Sequence, residues 1–177
     1  EFEILNTNQE KFRELFLDGT DHFNLIEFGA GDGLKTKVLL ENFISSGTDF
    51  RYFPIDISKH ALNELILDLN LNFPDLKVEG LPMDYFKALQ QLREKDFYTR
   101  NVVLFLGSNI GNFLEDNAVD FLRAVRQGLK PGDLFVIGFD LKKEIEVLLA
   151  AYNDREGVTA AFNMNLLRRI NRELGAD

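Results

Sequence analysis

Cysteine and tryptophan are absent from this sequence, and methionine and histidine appear only twice each. Without cysteine there is neither a disulfide framework nor a thiolate metal site, which fits a reducing, cytoplasmic setting. Two histidines, His22 and His60, are too few for a histidine metal site, so both are expected at the surface and no metal is expected. No apolar run approaches the roughly 18 residues that a membrane span requires. The opening stretch EFEILNTNQEKF lacks a basic region followed by an apolar one, so it does not read as a signal peptide. Cations are scarce as well: 20 Lys and Arg face 29 Asp and Glu, for a net charge of -9 and a pI near 4.8. A surface of that sign repels phosphate backbones, which excludes nucleic acid as an expected partner.

What is plentiful is apolar material. The 177 residues are 45% hydrophobic and include 17 Phe, enough for one substantial core. Short apolar runs alternate with longer amphipathic ones. Strands are expected at Asn24–Phe28, Phe50–Ile55, Lys77–Leu81, Val102–Leu106 and Leu134–Phe139. Several are nearly continuously apolar, as strands covered on both faces are. Helices are expected at Leu34–Ser45 and Asp84–Lys95. Another is marked by Leu62, Leu65, Ile66 and Leu69 behind a Ser58 cap, and another by Ala118, Phe121, Leu122 and Val125 behind an Asp116 cap. Phe73-Pro-Asp stops one helix, and Lys130-Pro-Gly-Asp turns into the fifth strand. Strand–helix alternation of this kind predicts an α/β, Rossmann-like, mostly parallel sheet with helices on both faces, whose ligands bind at the carboxyl ends of the strands. From about Lys142 the pattern becomes helix, glycine-containing turn, helix, with Phe162, Leu166, Leu167, Ile170 and Leu174 on one stripe. The expected division is residues 1–142 as the ligand-binding domain and 143–177 as the start of a helical region.

The stretch EFGAGDG, Glu27 to Gly33, stands at the tip of the first strand. Its glycines are spaced two apart. A dinucleotide fingerprint wants a third glycine at position 34, where this chain has Leu34, and Asp32 inside the loop would repel a pyrophosphate. The tighter spacing after an acid suits an adenosine ligand with an amino-acid tail, namely S-adenosyl-L-methionine. Gly29 and Gly31 would keep side chains off that ligand, loop amides could meet its carboxylate, and Glu27 or Asp32 could face its ammonium. Lys35, in the first turn of the next helix, opposes the helix dipole and either answers a ligand carboxylate or is a solvated lysine. Asp56 closes the second strand, near the ~20-residue spacing of an acid that accepts from ribose hydroxyls; its alternative is a turn or capping Asp. Asp84 and Tyr85 follow the third strand, where they could accept from and cover an adenine, with an N-cap as the other role for Asp84. In LGSNIGNF, Asn112 stands where it could bind a substrate carboxylate or amine, or serve only the turn.

Taken together, EFGAGDGLKTKVLLENF, YFPIDIS, MDYF, VLFLGSNIGNF, LKPGDLFVIGFDL and above all AAYNDREGVTAAFNMNLLRRINRELGAD resemble the S-adenosylmethionine-dependent, histidine-specific N-alpha methyltransferases of ergothioneine biosynthesis. The resemblance implies cofactor roles for Gly29, Lys35, Asp56, Asp84 and Tyr85, and substrate roles for Asn112 and Tyr152. It implies methyl transfer from the sulfonium to the alpha-amino nitrogen of an amino acid, histidine favoured, with no covalent enzyme intermediate and no metal. It further implies a substrate domain built partly from a segment before the sheet and partly from an insertion after the fifth strand. The chain is therefore expected to be a piece of a longer protein, with the fifth strand left as an apolar edge and the imidazole-recognising residues beyond Asp177. Other readings stay open: a class I methyltransferase acting on another small amine, a non-catalytic module that binds the cofactor or a partner, and a nucleotide-linked dehydrogenase.

Overall fold

The computed structural model describes residues 1–94 and 99–176. Four parallel strands form one sheet: β1 (His22–Phe28), β2 (Asp49–Ile55), β3 (Arg100–Phe105) and β4 (Leu134–Ile137), in the order β2-β1-β3-β4. Eight α-helices are described: α1 (Phe2–Thr7), α2 (Gln9–Leu17), α3 (Lys37–Ser45), α4 (Lys59–Asn72), α5 (Tyr85–Glu94), α6 (Glu115–Gly128), α7 (Ile145–Tyr152) and α8 (Val158–Leu174). The chain forms two compact units, Glu1–Phe139 and the segment from Asp140 onward. No described helix is long and apolar enough to cross a membrane.

The alternation of side chains along each strand explains the apolar runs. Phe23 and Leu25 of β1, Phe50 and Tyr52 of β2, and Val102 and Leu104 of β3 point to one face, where α1 to α4 cover them through Leu5, Phe16, Leu39, Phe43, Leu65 and Leu69. Ile26, Phe28, Phe53, Ile55, Val103 and Phe105 point to the other, where Ala88 of α5 and Phe121 and Val125 of α6 close over them. Phenylalanine fills both layers: Phe16, Phe23 and Phe43 meet edge to face on the first, and Phe28 meets Phe105 and Phe121 likewise on the second.

Several sequence expectations hold. Ser58 caps α4, accepting from the Ala61 amide at 3.2 Å. The Lys130–Asp133 turn closes with an Asp133 N–H to Lys130 carbonyl bond of 3.1 Å. His22 and His60 are exposed.

Others are corrected. Lys77–Leu81 forms no full strand, only two parallel bridges, Tyr52 to Val78 and Ile55 to Leu81. The backbone bonds run Tyr52 N to Lys77 O, Glu79 N to Tyr52 O and Leu81 N to Pro54 O. The next rung needs an amide donor at position 54, and proline has none. β4 stops at Ile137, although the Gly138 amide still reaches Phe105 O at 2.9 Å, and Phe139 is exposed. The helix expected from Leu34 starts at Lys37, because residues 29, 31 and 33 of the glycine turn all hold positive φ. Asp116 does not cap α6; Leu114 occupies that position and Asp116 sits in the first turn. The helix expected to reach Lys95 is α5, and Lys95 lies outside the described residues. α1 and α2 were not foreseen.

Candidate functional site

In a sheet ordered β2-β1-β3-β4, the chain leaves β1 toward one side for β2 and reaches β3 on the other. The two loops that diverge from the carboxyl tips of β1 and β3 therefore open a crevice. A cavity of about 280 Å³ lies there, lined by Gly29, Gly31, Lys35, Leu106, Gly107 and Asn109 among others.

The glycine turn makes its own demands. Gly29, Gly31 and Gly33 have φ of 72°, 56° and 65°, a left-handed conformation that side chains disfavour. The room they leave is used differently at each position. A Cβ on Gly29 would stand 2.8 Å from the Tyr85 hydroxyl, and one on Gly33 would stand 2.6 Å from Leu65 Cδ1; at Gly31 it would meet nothing within 4 Å. Only Gly31 keeps open space clear. The amides of the turn are largely committed to protein. Gly29 and Ala30 donate to Ile55 O at 2.8 and 3.1 Å, Gly31 to Asp56 Oδ2 at 3.1 Å, Gly33 to Ala30 O at 2.9 Å and Leu34 to Asp32 Oδ1 at 3.1 Å. The expectation that loop amides receive a ligand carboxylate is corrected at these five positions.

Asp56 follows β2. Its Oδ2 accepts from Gly31 and its Oδ1 from the Ser58 amide at 2.8 Å, so it fastens the glycine turn while keeping a lone pair on each oxygen. Tyr85 stacks on Phe28 with ring centroids 5.3 Å apart and meets Phe105 and Phe121 edge-on, which brings its hydroxyl over Gly29. Burial, helped by the charge of Asp56, pushes the Tyr85 phenol up, so it stays protonated. Asp84 plays the helix role: its Oδ1 accepts from the Lys87 amide at 3.0 Å, and that bond leads the interactions holding its carboxyl below the usual range.

Lys35 lies two residues before α3, not in its first turn. Its Nζ is 2.8 Å from Glu1 Oε2, and the same carboxylate accepts from the Gly107 amide at 2.8 and 2.9 Å. Burial pushes the Glu1 carboxyl up, but the Lys35 and Gly107 hydrogen bonds more than offset it and leave it below the usual range. Glu1 and Gly107 were not singled out from sequence. Nothing in the local pattern marks them, because they meet across almost the whole of the first unit.

Glu27 is buried on the first core face. Thr36 Oγ1 donates to its Oε1 at 2.5 Å, and the Tyr52 hydroxyl donates to its Oε2. Burial raises its pKa to about 7, partly opposed by those two donors. Its oxygens thus face Thr36 and Tyr52 from the edge of the cavity. Asn112, at the end of a 3-10 turn (Asn109–Asn112), is exposed. It is Asn109 that reaches the cavity, with its Nδ2 donating to Leu106 O at 2.8 Å. Tyr152 ends α7 in the second unit and is exposed there. Among the described residues no group of three or more His, Cys, Asp or Glu could hold a metal ion.

The chain is similar to known methyltransferases. It is 35% identical over 153 residues to the histidine N-alpha-methyltransferase of Mycolicibacterium smegmatis, covering 86% of this chain and 47% of that protein. It is 30% identical over 179 residues to ergothioneine biosynthesis protein 1 of Schizosaccharomyces pombe, covering 99% of this chain and 23% of that protein. The chain thus spans about half or less of the length of these relatives. Among solved structures, the DszA carbon methyltransferase superimposes with a TM-score of 0.55 at 20% identity, over 76% of this chain and 35% of that one, a likeness of fold alone. A family model described as histidine-specific, SAM-dependent methyltransferase matches residues 1–177, and the chain belongs to that family.

Proposed function

We propose that this chain carries the cofactor-binding part of an S-adenosyl-L-methionine-dependent enzyme that methylates the alpha-amino nitrogen of an amino acid, histidine being the favoured substrate. One observation carries the reading: in a member of this family, Lys35 Nζ and the Gly107 amide hold a carboxylate at the switch point of the sheet, beside the glycine turn that Asp56 fastens. The residues suit the cofactor. Lys35 and Gly107 receive its carboxylate, and Asp56 offers its spare lone pairs to the ribose hydroxyls. Gly31 leaves room for the chain between them. Tyr85, whose hydroxyl lies over Gly29, and Asp84 beside it are assigned to the adenine, the latter to its amino group.

When bound, the cofactor supplies an electrophilic methyl group on a sulfonium. The protein's part is alignment: the amine must meet the methyl in its uncharged form and in line with the sulfur, which is chiefly a matter of proximity. Asn112 and Tyr152 are assigned to holding the amino-acid substrate, on the strength of their motifs. The protein is taken as cytoplasmic on the strength of its cysteine-free composition.

Two measurements test this. Calorimetry with S-adenosylhomocysteine is expected to show one site, weakened more than tenfold by Asp56→Ala; no heat from the folded protein sinks the reading. Incubation with the methyl donor and a panel of amino acids is expected to give histidine gaining up to three methyl groups by mass. Methylation of a different amine with histidine untouched moves the assignment to another substrate.

A further inference from the structure

The carboxylate between Lys35 and Gly107 belongs to the protein itself. Glu1 reaches them with its side chain only 23% exposed, and both of its oxygens lie within hydrogen-bond distance of the Gly107 amide. Two glycines clear the space. A Cβ on Gly138 would collide with Glu1 Oε1, and one on Gly107 would press on Asn109 Nδ2 at 3.3 Å and touch Lys35 Nζ at 3.4 Å. The cradle is therefore one cation, one amide donor and two missing side chains at the tips of β3 and β4. It fits a single carboxylate. The amides of the glycine turn named above are already committed to Ile55, Asp56, Ala30 and Asp32. A ligand carboxylate entering the cleft is thereby directed to the berth that Glu1 fills.

We propose that Glu1 is an internal competitor for the cofactor's carboxylate, so that binding requires exchange of one carboxylate for another on Lys35 and Gly107. This rests on the cofactor assignment above and adds a residue that sets selectivity. A ligand with an amino-acid tail must displace Glu1, while one that ends at the thioether need not. No bond is made or broken and the berth keeps its charge balance, because a carboxylate leaves as a carboxylate arrives.

Two ligands separate the possibilities: S-adenosylhomocysteine, which carries the tail, and 5′-methylthioadenosine, which lacks it. Calorimetry on the wild type, Glu1→Gln and Glu1→Ala is expected to show S-adenosylhomocysteine binding about two- to fivefold tighter in both variants, the scale of one partly exposed ion pair. Methylthioadenosine affinity is expected to stay the same. Thermal melts accompany each titration, and Glu1→Gln, which keeps the size of the side chain, guards against a folding defect in Glu1→Ala. Unchanged or weaker S-adenosylhomocysteine binding in both folded variants overturns the competitor role, and weaker binding makes Glu1 a partner of the ligand instead. If neither ligand binds to any of the three proteins, the cofactor assignment itself falls. Binding of both ligands with no effect of Glu1 removes only this proposal.

Discussion

The Gly31 amide donates to Asp56 Oδ2 at 3.1 Å across 25 residues of chain, tying the one glycine of the turn that faces open space to the acid that follows β2. Asp56 is thus both a structural fastening and a candidate ligand. The two roles separate by substitution. Asp56→Asn keeps an oxygen acceptor for one of the two amides, whereas Asp56→Ala releases both Gly31 and Ser58. Loss of charge-assisted hydrogen bonds costs about 1.5–3 kcal/mol each at most, and less where water replaces them. Asp56→Ala is expected to lower stability by about 1–3 kcal/mol in urea denaturation and to weaken S-adenosylhomocysteine binding. Asp56→Asn is expected to keep most of the stability yet still lose affinity. Full affinity in Asp56→Asn would leave the acid with the fastening role alone.

The three turn glycines are not equivalent. Gly31→Ala meets no atom within 4 Å, so its stability cost is the left-handed backbone alone, about 1–2 kcal/mol, while its new methyl enters the cleft. Gly33→Ala bears the same backbone cost and also drives into Leu65 Cδ1 at 2.6 Å, within a core where Leu65 is nearly inaccessible. Overpacking adds about 1–3 kcal/mol. Equilibrium denaturation should rank Gly33→Ala below Gly31→Ala in stability, and calorimetry should reverse the order for ligand affinity among the folded variants. Equal stability of the two would show that Leu65 yields without cost.

Much of this was legible before the structure. The strands at 24–28, 50–55 and 102–106 are legible because a sheet covered on both faces needs apolar residues on both sides of its strands, and Glu27 and Asp56 stand at or just past the tips of the first two. The failures have local causes. The strand near Val78 was broken by Pro54, which lies in its neighbour and carries no signal within 77–81 itself. α1 and α2 carry a weaker signal, although Phe12 and Phe16 sit four apart on α2 with rings 5.8 Å from each other. Asn109 and Asn112 flank the same short 3-10 turn, and spacing alone could not tell which one turns toward the cleft. Glu1 and Gly107 are joined only by the fold.

That pair of asparagines can be told apart by kinetics. Asn109 lines the cleft between Gly29 and Gly107, with Nδ2 3.6 Å from a Cβ placed on Gly29, whereas Asn112 is exposed beyond it. Asn109→Ala is expected to raise the apparent KM for the methyl donor several-fold. Asn112→Ala is expected to leave that value alone and raise KM for the amino acid. A donor KM that responds to Asn112 and not to Asn109 would place the wrong residue in the cleft.

Glu27 makes stability depend on pH with a definite sign. Its pKa in the folded protein is raised by burial to about 7, against 4.5 for an unburied glutamate, so between those values the folded chain holds a proton that the unfolded chain has released. Stability from this group is therefore fully present below 4.5 and is lost as pH climbs through about 7. Thr36 and Tyr52 donate to the ionised form and soften the loss without reversing it. Burial and the neighbouring Glu27 together keep the Tyr52 phenol protonated, so its donor survives across the range. Glu27→Gln has no proton to lose. Melting temperatures recorded from pH 5 to 8 are expected to fall with rising pH more steeply in the wild type than in Glu27→Gln, the two curves converging in slope above about 7. Parallel curves through the whole window would mean that the buried carboxylate is ionised in folded and unfolded chains alike, with Thr36 and Tyr52 fully offsetting its desolvation.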